Sequence, residues 1–112
     1  MAKNLTLTDT VTIANGATTS GALAMQASRI PLAILIPAAM TGTAMTFLAS
    51  NDGGTNYYPV YYESTLYSVT IPTAAIRHIA LDRRAFEGAR LIKCVSNATE
   101  LAARTVGVIS GE

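Results

Sequence analysis

Ala44-Met-Thr-Phe-Leu-Ala-Ser-Asn-Asp-Gly-Gly-Thr-Asn-Tyr-Tyr-Pro-Val-Tyr-Tyr62 is the stretch that decides the fold. Its first part, Ala44–Ser50, is a short apolar run with Phe47 as its bulky anchor. Asn51-Asp52-Gly53-Gly54-Thr55 is turn chemistry: glycine reaches positive φ without steric cost, and Asn and Asp tolerate it. The last part, residues 56–62, holds four of the five tyrosines. Strand, turn and strand make a β-hairpin. Alternation puts Tyr58, Val60 and Tyr62 on one face and Tyr57, Pro59 and Tyr61 on the other. One face is expected in the core and the other as a contact surface.

Working outward, the same period-2 logic recurs. Leu5, Leu7, Asp9, Val11 and Ile13 share one parity, and Thr6, Thr8, Thr10 and Thr12 the other. Asn15-Gly16 marks a turn, and residues 20–26 a second strand. Arg29-Ile-Pro-Leu-Ala-Ile-Leu-Ile-Pro37 is nearly all apolar, as a strand buried on both faces would be. Pro31 cannot donate to a ladder, so it belongs near the strand start or on an edge. Further strands are expected at residues 66–71, 76–81, 89–95 and 104–109. Asp82 is placed to cap one helical turn that ends in Phe86 and plugs it into the core. Residues 96–103 form a loop, with room for a helical turn at 99–103. About eight or nine short strands with frequent turn signals predict an all-β fold: one antiparallel β-sandwich, jelly-roll-like, with an extended N-terminal arm. Residues 1–10 are expected as that arm or first strand, and residues 11–112 as the sandwich domain.

The chain of 112 residues suits one domain. Only 13% of its residues are charged, against about 25% in an average soluble domain. Half are hydrophobic, and the mean hydropathy is +0.34. A small domain has much surface for its volume, so an apolar or neutral surface faces outward, and large apolar surfaces mark contact sites. The net charge of +1 gives no electrostatic case for nucleic acid or anionic membranes. Residues 30–51 carry no charge, but Pro31, Pro37 and Gly42 break the run, so no membrane span is expected. Residues 1–10 lack the apolar core of a signal peptide.

No residue set points to chemistry, and no catalytic, cofactor-binding or metal site is assigned. His78 is the single imidazole and Cys94 the single thiol. Nucleophilic catalysis needs a nucleophile, a base and an orienting group. His78 is expected as a polar strand residue and Cys94 as a small buried hydrophobe. The acids are scattered over loops and ends rather than paired. The Asn51–Asn56 segment has one carboxylate, too few for calcium.

Several segments in fixed order carry a resemblance. They are Thr12-Ile-Ala-Asn-Gly16 with Ser20-Gly21, Ile36-Pro-Ala-Ala39, Phe47-Leu-Ala-Ser-Asn-Asp-Gly-Gly-Thr55 and Tyr57-Tyr-Pro-Val60. Ile79-Ala-Leu-Asp82, Phe86-Glu-Gly-Ala-Arg-Leu-Ile-Lys93 and Ala103-Arg-Thr-Val-Gly-Val108 follow. In these the chain resembles a family of small β-sandwich structural proteins of tailed bacteriophages. The resemblance implies a virion structural protein on the outer capsid surface: a cement, or decoration, protein that is no enzyme and has no cofactor. Its implied partners are the major capsid protein and itself, with a homotrimer favoured. A tail, neck or fibre-base component, including a glycan-binding adhesion module, is the alternative; a glycan ranks below protein partners because aromatic loop spikes are lacking. Leu5, Leu7, Tyr57, Tyr61, Arg83 and Arg84 are the expected protein-interface residues. The threonine-rich residues 2–10 could add a strand to an adjacent subunit's sheet.

Overall fold

A computed structural model describes residues 7–25, 29–72 and 76–111. The strands are β1 (Leu7–Ile13), β2 (Leu23–Ala24), β3 (Ile30–Ile36), β4 (Ala44–Ser50), β5 (Tyr58–Pro59), β6 (Tyr61–Tyr62), β7 (Thr65–Leu66), β8 (Val69–Thr70), β9 (Arg77–Ala80), β10 (Leu91–Ser96) and β11 (Arg104–Gly111). A single 3-10 turn, Arg83–Phe86, stands between β9 and β10.

All pairings are antiparallel. One sheet runs β1-β11-β3-β9; the other runs β2-β10-β4-β5, with β8 also on β4. Taking β5 to β8 as one rung, the two sheets read 1-8-3-6 and 2-7-4-5. That is the jelly-roll order, two Greek keys folded face to face. The expected sandwich is therefore present, and the tyrosine region is its most broken rung.

Alternation builds the core. Val11 and Ile13 of β1, Ile34 and Ile36 of β3, Met45 and Phe47 of β4, Ile92 and Cys94 of β10, and Val106 and Val108 of β11 are all buried. β3 lies between β11 and β9; Ile34 and Ile36 are buried, while Leu32 and Leu35 are half-buried. Pro31 is its second residue, and the register of β11 shifts between Ile109 and Ser110 opposite it. The bulge accommodates the missing donor.

Leu7–Thr10 belongs to the first strand. It pairs in register with β11 of the same chain, Leu7 opposite Ser110 and Thr10 opposite Gly107. These four residues are exposed on both parities, so only the Val11–Ile13 half of β1 enters the core. Leu5 and the rest of the expected arm lie outside the described residues. Residues 99–103 form no helical turn.

A candidate interaction surface beside the tyrosine strand

The hairpin foreseen between β4 and the tyrosines exists: Leu48 pairs with Pro59 and Ala49 with Tyr58. Its turn is held by side chains. Ser50 Oγ donates to Asp52 Oδ1 at 2.8 Å and accepts from Gly54 N at 3.0 Å. Asp52 also accepts from Asn56 N at 3.1 Å and Asn56 Nδ2 at 2.9 Å. The Asn56 backbone N–H leads the donors that hold the Asp52 carboxyl at about 2. Gly53 and Gly54 have φ of 77° and 91°, the left-handed region that favours glycine.

Val60 is buried between exposed Pro59 and Tyr61. Its N–H donates to Phe47 O at 2.9 Å, and its carbonyl accepts from Tyr67 N at 2.9 Å. Val60 ends the β4–β5 ladder; β6 beyond it pairs with β7 in a separate two-stranded sheet, and β8 then returns to β4. The Glu63-Ser64 turn joining them has φ of 53° and 68°, positive at both central positions as a tight hairpin requires. Tyr58, before the change of sheet, and Tyr61, after it, are exposed at 62% and 60%. Tyr58, on the face opposite the expected contact residues Tyr57 and Tyr61 and shared with buried Val60, is also on the surface.

Tyr58 and Tyr61 line a cleft of about 270 Å³ with Ala49, Ser50, Asn51, Pro59, Val60, Ala85, Glu87, Gly88 and Ala89. The 3-10 turn fixes its second wall. Asp82 caps the turn, its carboxylate accepting from Arg84 N at 3.0 Å. Asp82 N donates to the Tyr67 hydroxyl at 2.7 Å. Phe86 is buried edge-on against Phe47, with centroids 5.1 Å apart, and against Tyr67 at 5.6 Å. Edge-to-face rings favour one orientation, so the wall beside Ala85 and Glu87 is anchored in the core.

The expected interface residues divide. Tyr61 lies in the cleft. Tyr57 is half-buried, with Lys93 Nζ 4.2 Å from its ring centroid. Arg84 is held by Asp82, Nε to Oδ1 at 3.2 Å and a second nitrogen to Oδ2 at 3.1 Å, and its guanidinium sits 5.4 Å over the Tyr62 ring. The Arg84 side chain in turn holds the Asp82 carboxyl below its usual value. Arg83 is exposed on the same 3-10 turn. Leu7 is 37% exposed on β1, in the other sheet, so it is not part of this cleft. Leu5 lies outside the described residues.

A second polar constellation was not singled out from the sequence. Glu100 is fully buried and accepts from Thr41 N at 2.8 Å, Gly42 N at 2.9 Å, Ser96 Oγ at 2.7 Å and Arg104 Nε at 3.0 Å. Burial alone would raise its pKa; the four donors prevail and hold it at about 2. An anion with its lone pairs so engaged is a clasp between loops, and a poor proton acceptor. Cys94 is buried, and burial pushes its thiol to about 12. His78 is exposed on β9. Among the described residues no group of three or more His, Cys, Asp or Glu is placed to hold a metal, and no helix is long and apolar enough to cross a membrane.

No protein-family model and no curated protein matches the chain. Among solved structures, a protein of the Bacillus endospore appendages, described as a family of disulfide-linked pili, is similar at 14% identity and a TM-score of 0.40, over 98% of this chain and 88% of that one. The Yersinia pseudotuberculosis-derived mitogen is similar at 9% identity and a TM-score of 0.37, over 96% of this chain and 86% of that one. Both are small all-β folds, and neither points to a phage particle.

Proposed function

We propose that this chain is a non-enzymatic structural module that docks on other proteins through the Tyr58–Tyr61 face. The observation that carries it is the shared exposure of Tyr58 and Tyr61, 62% and 60%, on one shaped cleft. Tyrosine is enriched in protein interfaces, where it brings contact area at low entropic cost. The low charged fraction, 13%, favours the same role, since interface cores are poor in charge.

The finer reading is a capsid cement protein on the outer surface of a phage head, bound to major capsid protein and to copies of itself in a homotrimer. Its support is the sequence resemblance over residues 11–109. Jelly rolls occur in capsid and lectin domains alike, so the fold does not choose between them. The second reading, a tail, neck or fibre-base adhesion module, draws on the same exposed rings, which suit a sugar face.

Purified particles test both. A cement protein co-sediments with heads in a copy number set by the icosahedral lattice; a tail component follows the tail's rotational symmetry. Tyr58→Ala/Tyr61→Ala protein should leave the particle while remaining folded. Particles that retain the double variant at full occupancy would remove the docking assignment.

A further inference from the structure

The chain shows twice how it treats a tyrosine ring at this edge. Lys93 Nζ stands 4.2 Å from the Tyr57 ring centroid. Arg84 stands 5.4 Å from that of Tyr62, while its guanidinium is fastened to the Asp82 carboxylate. The second case is a trio of aromatic face, guanidinium and carboxylate. Tyr58 and Tyr61 lie between these two rings in sequence. Among the described residues lining their cleft, Glu87 is the one charged side chain. The cleft therefore presents two tyrosine rings and a carboxylate, with no cation among the described residues of its walls.

We infer that the cleft formed by Tyr58, Tyr61 and Glu87 receives an arginine side chain of the docked protein. This rests on the docking role proposed for the same face. A planar guanidinium stacks on aromatic rings and pairs with a carboxylate along its edge, as Arg84 does on Tyr62 and Asp82. Size agrees. The cleft holds about 270 Å³, below the roughly 300–1,000 Å³ of small-molecule sites. That is room for one side chain. Glycan binding and a purely apolar contact are outcomes of the test.

The test is NMR on the whole chain with ring-labelled tyrosine. The probe is N-acetyl-Gly-Arg-Gly-amide, against the same peptide with neutral citrulline, at matched ionic strength. The arginine peptide should shift the Tyr58 and Tyr61 rings saturably, leaving Tyr57 and Tyr62 in place. The citrulline peptide should bind about fivefold more weakly, and Glu87→Gln should weaken the arginine peptide about threefold. Unmoved rings, equal response to citrulline, or equal shifts at all four rings would overturn the inference. So would maltotetraose moving the two rings where the arginine peptide does not. Particle sedimentation is scored separately. Loss of docking in Tyr58→Ala/Tyr61→Ala with no arginine response removes this inference alone; arginine binding by a chain absent from heads and tails removes the virion reading alone.

Discussion

Arg104 Nε donates a 3.0 Å hydrogen bond to Glu100 Oε1, tying the first residue of β11 to the loop that delivers it. Glu100 is fully buried, and the Arg104 side chain is 15% exposed. The same carboxylate takes two backbone N–H groups from the loop before β4 and the hydroxyl of Ser96 at the end of β10. Removing one partner of a buried pair strands the other charge, which costs about 3–5 kcal/mol. Glu100→Ala should therefore lose about that much stability in urea unfolding. Glu100→Gln keeps one acceptor oxygen and should lose less.

Acid should act through the same group. Glu100 titrates near 4.5 in a free chain and at about 2 in the fold. Between these values the unfolded chain binds a proton that the folded chain refuses, so stability rises with pH. The contribution is full above 4.5 and disappears as pH falls through about 2. Asp52, lowered from 3.8 to about 2, acts in the same direction. The gap in urea midpoint between the native chain and Glu100→Gln should be widest above pH 4.5 and close toward pH 2. A gap constant across that window would show that Glu100 is protonated in the fold.

What the sequence made legible was local. Ala44–Ser50 has the expected bounds, and Asp82 caps a turn that buries Phe86. Both follow from contiguous residues: a parity, a cap, a plug. Tyr58 pairs opposite Ala49 and keeps the parity of buried Val60, yet it is exposed: parity gives the face a residue takes, and not how far the layer that covers that face extends. Glu100 was passed over because its meaning is non-local. Thr41 lies 59 residues away in sequence, and no pattern near Glu100 announces it. The jelly-roll order is likewise a matter of which distant strands pair.

Gly42 tests how tightly that clasp is packed. A Cβ there would collide with Ser96 Oγ, the atom that donates to Glu100. Gly42→Ala should cost about 1–3 kcal/mol, the usual price of overpacking. Gly21 has no atom within 4 Å of a built Cβ, so Gly21→Ala should stay within about 0.5 kcal/mol. Paired denaturant curves decide; equal midpoints would mean that Ser96 moves aside freely.

Cys94 should be silent toward thiol reagents in the folded chain. Its thiol is buried and lies at about 12, so at pH 8 about one molecule in ten thousand carries the reactive thiolate. An aromatic disulfide reagent should report no thiol natively and one thiol in guanidinium. Fast native labelling would place Cys94 at the surface.

Phe86 and Tyr61 separate the stability of the sandwich from the use of its surface. Both border the same region: Phe86 anchors the wall that carries Ala85 and Glu87, and Tyr61 faces the cleft. Only Phe86 enters the core, at 1% exposure against 60% for Tyr61. Truncating a buried phenylalanine costs about 3–5 kcal/mol. An exposed ring outside such contacts costs within about 0.5 kcal/mol. Phe86→Ala should therefore lower the urea midpoint steeply and loosen the wall, seen as faster amide exchange at Ala85 and Glu87. Tyr61→Ala should leave the midpoint and the exchange unchanged and affect docking alone. If Tyr61→Ala destabilises the chain as much as Phe86→Ala, the ring belongs to the core and the docking surface must be sought elsewhere.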